Sequence, residues 1–153
     1  MPTVQALAEL QAPLPQLLAE ARLRGADVEA ARRIAPDFAD NLKQAGVARM
    51  LVPQVAGGLG RWLPDWPEVM LQLAEADAST AWVSAHAGIS SGLIAASADA
   101  RLREELFADP LACVSWSNLP RVQVQELVDG LRISGSWAFV SGCLHPRRKL
   151  RSA

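Results

Sequence analysis

The sequence predicts an α+β fold, in which a helical domain over residues 1–110 precedes the beginning of a β-domain over residues 111–145. Helix-forming residues, with apolar positions at helical spacing, continue as far as about residue 107. Short apolar, β-prone runs follow, and a turn signal separates the last two of them. Segregated runs of helices and strands are typical of α+β proteins.

The N-terminal part is expected to contain three helices. Residues 3–33 are rich in Ala, Leu, Glu and Arg, and two prolines divide them into a short first helix and a longer one over about residues 14–33. Pro36 suits the first turn of the third helix, in which apolar residues recur at helical spacing. Gly46 is the candidate C-cap of that helix.

Two connecting stretches follow. "VARMLVP", residues 47–53, is predicted to be a short extended connector. "QVAGGLGRWLP", residues 54–64, has three glycines in four residues. It lacks both the Gly-Lys-Ser/Thr ending of a P-loop and the spaced glycines of a dinucleotide-binding motif. We therefore interpret it as a flexible turn rather than a phosphate-binding loop.

Three further helices are predicted before residue 110. The first starts at Asp65 and carries a single apolar stripe, which consists of Trp66, Val69, Met70, Leu73 and Ala76. Ser79 is the candidate N-cap of the second. Residues 80–96 are small and apolar almost all round, which predicts a helix in the middle of a bundle. The third runs from Asp99 to Phe107 and ends at "ADP".

Three strands are predicted after residue 110. "LACVSWSN" is apolar and β-prone, "RVQVQELVDG" alternates apolar and polar residues, and "LRISGSWAFVSGC" follows directly. Asp129-Gly130 is a strong hairpin signal between the second and third strands.

Charge and composition exclude several classes of partner. The formal net charge is −1, so no overall field favours nucleic acid or an anionic membrane. Four of the 15 basic side chains lie in residues 146–153, which carry no acidic one, and this tail is expected to be disordered. The longest apolar stretch, "AWVSAHAGISSGLIAA", is shorter than the ~20 residues that span a bilayer.

The cysteines and histidines predict neither a disulfide nor a metal site. Cys113 and Cys143 are the only cysteines, and no secretory signal is evident at the N-terminus, so we expect free thiols in the cytoplasm. These cysteines, together with His86 and His145, have no spacing typical of zinc.

Several residues are candidates for binding or catalysis. His86 lies on the helix over residues 80–96, where it is either a hydrogen-bonded core residue or a proton donor and acceptor facing a pocket. Trp116 and Trp137, each near a serine, either pack across neighbouring strands or hold a flat ligand. In the second case the hydroxyls of Ser117 and Ser141 meet the edge of a heterocycle.

Four stretches together resemble the acyl-CoA dehydrogenase superfamily from about residue 20 to residue 145. They are "LKQAGVARMLVPQVAGG", "LAEADASTAWV", "LACVSWSN" and "LRISGSWAFVSGC", and their order and spacing carry the resemblance. The ending "SGSWAFVSGC" looks most like the flavin-dependent monooxygenase branch, the oxygenase components of two-component hydroxylases. The dehydrogenase branch usually has Trp-Ile-Thr-Asn there.

The resemblance implies a helical N-terminal domain, a β-barrel and a C-terminal four-helix bundle, with flavin, FMN or FAD, between the last two. It implies flavin contacts from Trp116 and Ser117 on one strand and from Phe139, Val140 and Ser141 at the end of another. Ser141 then lies where the family places a hydroxyl near the reactive flavin N5, which gives it a catalytic role.

The resemblance also gives His86 a catalytic role, because some monooxygenase relatives have a histidine on the central helix that faces the substrate. An intact relative would use reduced flavin and O2 to hydroxylate an organic substrate, for which we expect an aromatic compound. It would have a flavin reductase as a possible partner. A homo-oligomer is expected only for the full-length relative.

The sequence departs from the family after Cys143. Family chains are considerably longer, and "LHPRRKLRSA" stands where they continue through an apolar strand, although a basic run cannot form a barrel core. We therefore expect a truncated member, with residues 111–145 as the first strands of a truncated β-barrel domain. Such a chain would lack half of the flavin pocket, so we expect it to be inactive alone and not to retain flavin.

Two alternatives stay open. The first is the N-terminal part of an acyl-CoA dehydrogenase that uses FAD for CH–CH oxidation. The second is a non-catalytic helical interaction module whose exposed strands pair with a partner chain.

Overall fold

The α+β class is confirmed by a computed structural model that describes residues 13–60 and 65–145. Within these ranges the chain forms five α-helices and one antiparallel hairpin. The elements are α1 (Leu14–Ala31), α2 (Pro36–Gln44), α3 (Asp65–Ala76), α4 (Ala78–Ser97), α5 (Ala100–Phe107), β1 (Leu119–Leu127) and β2 (Gly130–Ala138). The short helix predicted before Pro13 and the tail over residues 146–153 lie outside the described residues.

The helix ends agree with the predicted signals for α2 and differ from the predicted N-cap of α4. Pro36 occupies the first turn of α2, and Gly46 follows that helix with φ +81°, which confirms the predicted terminus. The Ser79 prediction is wrong. Asp77 caps α4 instead, because its carboxylate accepts a hydrogen bond of 2.6 Å from the backbone N–H of Thr80.

The core lies among α1, α2, α3 and α4. The apolar stripe predicted for α3 faces it, with Val69, Met70 and Leu73 buried. The prediction that α4 lies in the middle of a bundle holds for one side of the helix only. Its small residues pack against α1 and α3, but Trp82 and Leu93 are 62% and 51% exposed. One side of α4 therefore stays open, and Trp82 lies there in contact with the candidate residues His86 and Ser141.

The connector after α2 is not extended as predicted. It forms a 3₁₀ turn over Val47–Arg49, which places Val47, Met50 and Val52 in the protein interior. The following turn packs closely on it. A Cβ at Gly58 would lie 2.1 Å from the carbonyl oxygen of Val52, so only glycine fits there. Burial of apolar side chains thus outweighs the β-propensity of this stretch.

Arg49 joins three parts of the helical region. Its buried guanidinium donates hydrogen bonds to the carbonyl oxygens of Ala56 (2.9 Å), Phe107 (3.1 Å) and Pro110 (3.2 Å). Its charge also lies 5.0 Å from the centre of the Phe107 ring, within the range of a cation–π contact. Burial lowers the pKa of the guanidinium from its ordinary value. The side chain therefore ties the glycine-rich turn and the end of α5 to the connector.

The β-region has fewer strands than predicted. "LACVSWSN" is irregular rather than a strand, because it follows the helical region instead of a strand partner: the Val114 N–H donates to the Ser91 hydroxyl of α4 (3.1 Å). The other two runs form the predicted hairpin, although its loop consists of Val128 and Asp129, and Gly130 begins β2. The described strands form this two-stranded sheet, and the barrel stays a prediction.

The hairpin has one apolar face and one mainly polar face. Residues opposite each other in the register, such as Val124 and Ile133, share a face, and side chains alternate along each strand. The apolar face contains Val122, Val124, Leu131, Ile133 and Trp137, all of them exposed. None of the described helices is long and apolar enough to cross a membrane.

Candidate functional site

The candidate site lies where the chain turns back from the hairpin onto α4. The prediction that the strand continues to Cys143 is wrong, because β2 ends at Ala138 and Phe139 has φ +55°. The N–H of Ser141 then donates to the carbonyl oxygen of Phe139 (3.0 Å), and that of Cys143 to Val140 (3.2 Å). We call residues 139–143 the return turn.

Gly142 allows the return turn to approach α4 closely. It has φ +78°, and a Cβ there would lie 3.2 Å from a methyl carbon of Val83 and 3.6 Å from the Ser115 hydroxyl. A larger residue would have to push the turn away from the helix. Glycine at this position therefore brings its neighbour Ser141 to the exposed side of α4.

Trp82 connects two of the candidate residues. Its indole Nε1–H donates to the Ser141 Oγ at 3.1 Å. Its ring lies against the His86 imidazole, with the ring centres 4.5 Å apart and the planes tilted by 45°. The structure thus places Ser141, Trp82 and His86 in one contiguous cluster, although Ser141 and His86 are far apart in sequence. Trp82 is not among the residues predicted to bind a ligand, and its only signal in the sequence is its position four residues before His86.

The half-buried His86 has a defined hydrogen bond on one ring nitrogen. Its Nδ1 lies 3.0 Å from the carbonyl oxygen of Trp82. Because a carbonyl oxygen only accepts, this contact favours the tautomer with hydrogen on Nδ1. In the neutral ring Nε2 is then the acceptor, which is the form that can take a proton from a ligand.

The Ser117 hydroxyl is not free, because it connects the irregular stretch before β1 to the hairpin by hydrogen bonds. Its Oγ donates to the carbonyl oxygen of Ala138 and accepts from the N–H of Leu119 (3.2 Å). By contrast, the backbone N–H groups of Trp116 and Ser117 donate to no acceptor among the described residues. The backbone of this stretch is therefore better able than the Ser117 hydroxyl to bind a ligand.

Three aromatic side chains remain open to solvent around the return turn. Trp116 is 41% exposed, Trp137 48% and Phe139 82%. Among the described residues, Trp82 and His86 are the one pair of rings in contact, so the packing of Trp116 on Trp137, one of the two alternatives, is not observed. Val140 is half-buried in the turn.

A charged side chain of α2 binds the chain just after the return turn. The buried Lys43 ammonium donates to the Asp40 carboxylate (3.0 Å) and to the carbonyl oxygen of His145. Burial lowers the pKa of His145, to which the nearby ammonium adds, and burial raises the pKa of the Cys113 thiol. Both groups are therefore neutral near pH 7. Within the described ranges, no group of His, Cys, Asp or Glu could hold a metal ion.

Comparison with known proteins gives relatives of one kind. No family model matches the chain. It is 34% identical over 143 residues to the oxygenase component of p-hydroxyphenylacetate 3-hydroxylase from Acinetobacter baumannii, a match that covers 93% of this chain and 33% of the relative. It is also 33% identical over 135 residues to HsaA of Mycobacterium tuberculosis, a flavin-dependent monooxygenase oxygenase subunit, with coverages of 88% and 34%.

The chain is similar to flavin-dependent oxygenase components. The crystal structure of the M. tuberculosis HsaA monooxygenase superposes with a TM-score of 0.82 and 32% identity, covering 92% of this chain and 38% of HsaA. This agreement extends the sequence resemblance to the arrangement of the helices and the hairpin. The chain spans about a third of the length of the curated relatives that it matches.

Proposed function

We propose that this chain supplies one wall of the flavin and substrate site of a monooxygenase oxygenase component. The observation that carries the proposal is the Trp82–His86–Ser141 cluster. The stretch that contains Trp116 and Ser117 contacts the end of β2, where Ser117 binds Ala138, and the backbone N–H groups of both residues have no acceptor among the described residues. The relatives reported above are a hydroxylase and a monooxygenase, which favours this function over the acyl-CoA dehydrogenase alternative.

The residues present fit a flavin, FMN or FAD. A flavin ring is flat and carries hydrogen-bond acceptors along its edge. The site offers exposed aromatic rings together with backbone N–H groups that have no acceptor within the part of the chain that the structure describes. Trp116 and Ser117 would bind it through their backbone, and Phe139, Val140 and Ser141 would bind it from the return turn. Reduced flavin, when bound, supplies the electrons that activate O2.

The catalytic roles fall to two side chains of the cluster. The Ser141 hydroxyl would donate a hydrogen bond to an acceptor on the ring edge. With hydrogen on Nδ1, His86 would accept a proton at Nε2 from the hydroxyl of a phenolic substrate. An aromatic substrate fits this position, because Trp82 and His86 offer flat faces on the open side of α4.

The partners follow from the relatives. The A. baumannii protein is an oxygenase component, which implies a separate protein that reduces the flavin. We propose a flavin reductase in this role, a cytoplasmic location, and a homo-oligomer for the full-length form. Because this chain spans a third of its relatives, we expect it to bind flavin weakly and to need further polypeptide for hydroxylation.

The test is a titration of the full 153-residue chain with FMN and with FAD, followed by flavin fluorescence. We expect a dissociation constant on the order of 1 mM and no product when reduced flavin and O2 are added. Phe139→Ala should weaken binding severalfold. Val128→Ala, which shortens a fully exposed side chain at the far end of the hairpin, should not. Absence of flavin binding would reject the site, and tight binding with turnover would reject the need for further polypeptide.

A second candidate function is a module that binds another polypeptide through the hairpin. The apolar face of β1 and β2 is exposed, which favours a partner that covers it. Gel filtration with light scattering separates the two functions. A monodisperse monomer that binds flavin supports the first function. A stable complex with another polypeptide, together with no flavin binding, supports the second.

A further inference from the structure

We propose that Trp82 is a positioning residue that fixes the Ser141 hydroxyl as a hydrogen-bond donor toward a bound flat heterocycle. The inference rests on the proposed function, since it assumes that a ligand lies between α4 and the return turn. It assigns a role to a side chain that none of the sequence patterns singled out for ligand binding.

The chemistry of the two groups gives the direction of the hydrogen bond. An indole Nε1–H only donates, whereas a serine hydroxyl both donates and accepts. At 3.1 Å, the Trp82 N–H therefore occupies an acceptor lone pair of the Ser141 Oγ. The hydroxyl proton has no acceptor among the described residues, so it is available to a ligand.

The position of Trp82 is itself well defined. Its carbonyl oxygen binds His86 Nδ1 and its ring lies against the same imidazole. The next residue, Val83, has a methyl carbon only 3.2 Å from where a Cβ of Gly142 would lie. Rotation of the indole would break the contact to Ser141 and uncover His86. One tryptophan thereby sets the orientation of both the hydroxyl and the imidazole.

This arrangement selects the ligand atom that Ser141 can meet. With a lone pair occupied, the hydroxyl is polarised to donate, so it favours an unprotonated ring nitrogen or a carbonyl oxygen over an N–H group. A free serine would accept either kind of atom. We therefore expect Trp82 to strengthen binding of a heterocycle that presents an acceptor at this point.

The first test needs no ligand. In the full chain, labelled with ¹⁵N at tryptophan, Trp82→Phe identifies the Trp82 indole resonance by its loss and keeps an aromatic ring in place. Ser141→Ala should then shift this resonance and speed its hydrogen exchange more than for any other tryptophan. An unchanged Trp82 indole resonance in Ser141→Ala would overturn the proposal.

The second test measures FMN binding by the same spectra in the wild type, Trp82→Phe, Ser141→Ala and the double variant. We expect each single substitution to raise the dissociation constant about three- to tenfold, as for the loss of one hydrogen bond. The double variant should be no weaker than Ser141→Ala, because Trp82 acts through Ser141. If the factors by which the two single substitutions raise the FMN dissociation constant multiply in the double variant, the positioning role is overturned.

The outcomes separate the two proposals. If the wild type binds neither FMN nor FAD, the proposed function falls and the ligand-directed role of Trp82 falls with it. If FMN binds but Ser141→Ala leaves the indole resonance in place, only the role of Trp82 is rejected.

Discussion

The helical region and the hairpin use similar apolar residues in opposite ways. In the helices, Phe38 and Leu73 are 0% exposed and belong to one continuous core. In the hairpin, Leu131 and Ile133 are 62% and 54% exposed, although they share one face of the sheet with other apolar side chains. The helices bury these apolar side chains against one another, whereas the hairpin leaves its apolar side chains exposed to solvent.

This difference indicates what each region contributes. Burial of apolar side chains is the main stabilising contribution to folding, so the stability of the described residues comes chiefly from the helices. A lone two-stranded hairpin is marginally stable in water. The hairpin instead carries the return turn, which brings Ser141 to α4. Three substitutions test this division, from the largest expected effect to the smallest.

Leu73→Ala should have the largest effect, a loss of about 3–5 kcal/mol in the free energy of unfolding, because it opens a cavity in the core. Leu71→Ala is the matched control on the same helix, since Leu71 is 66% exposed, and it should cost less than about 1 kcal/mol. Urea unfolding followed by circular dichroism measures both. Equal losses in the two variants would contradict the assignment of the core to this face of α3.

Arg49→Met should cost about 2–3 kcal/mol, because the carbonyl oxygens of Ala56, Phe107 and Pro110 lose their donor. Arg101→Met, on the exposed side of α5, removes the same charge without these bonds and should be close to neutral. Hydrogen exchange of the backbone N–H groups at the end of α5 should also be faster in Arg49→Met, but not in Arg101→Met. A neutral Arg49→Met would show that the helical region does not need this tie.

Ile133→Ala should have the smallest effect, below about 1 kcal/mol, since the side chain it shortens is already exposed. The same urea titration applies, and the backbone N–H groups of β2 should exchange faster than those of α4 in the wild type. A loss as large as that of Leu73→Ala would mean that the hairpin is covered in solution. That result would favour the module that binds another polypeptide.

Local sequence signals predicted much of the fold. The stripe on α3, proline at the start of α2, glycine after its end and the hairpin all follow from residues that interact with near neighbours. The same reasoning failed for "VARMLVP" and "LACVSWSN", because β-propensity there yields to contacts with the helical region, such as Val114 with Ser91.

The candidate site was predictable only in part. Ser141 and His86 could be proposed from resemblance, and their roles stay predictions. The cluster itself depends on a left-handed Phe139, on Gly142 against Val83, and on an indole that reaches across 59 positions of sequence. A pattern among neighbouring residues cannot predict a contact between residues so far apart in sequence.

The sequence by itself therefore determined the order of helices and strands, because that order depends on spacing and propensity along the chain. Only the tertiary structure decided that the chain turns back after β2, that Trp82 rather than another donor binds Ser141, and that the Ser117 hydroxyl is already occupied. These features arise from packing between segments that are distant in sequence, where steric fit selects the hydrogen-bond partner.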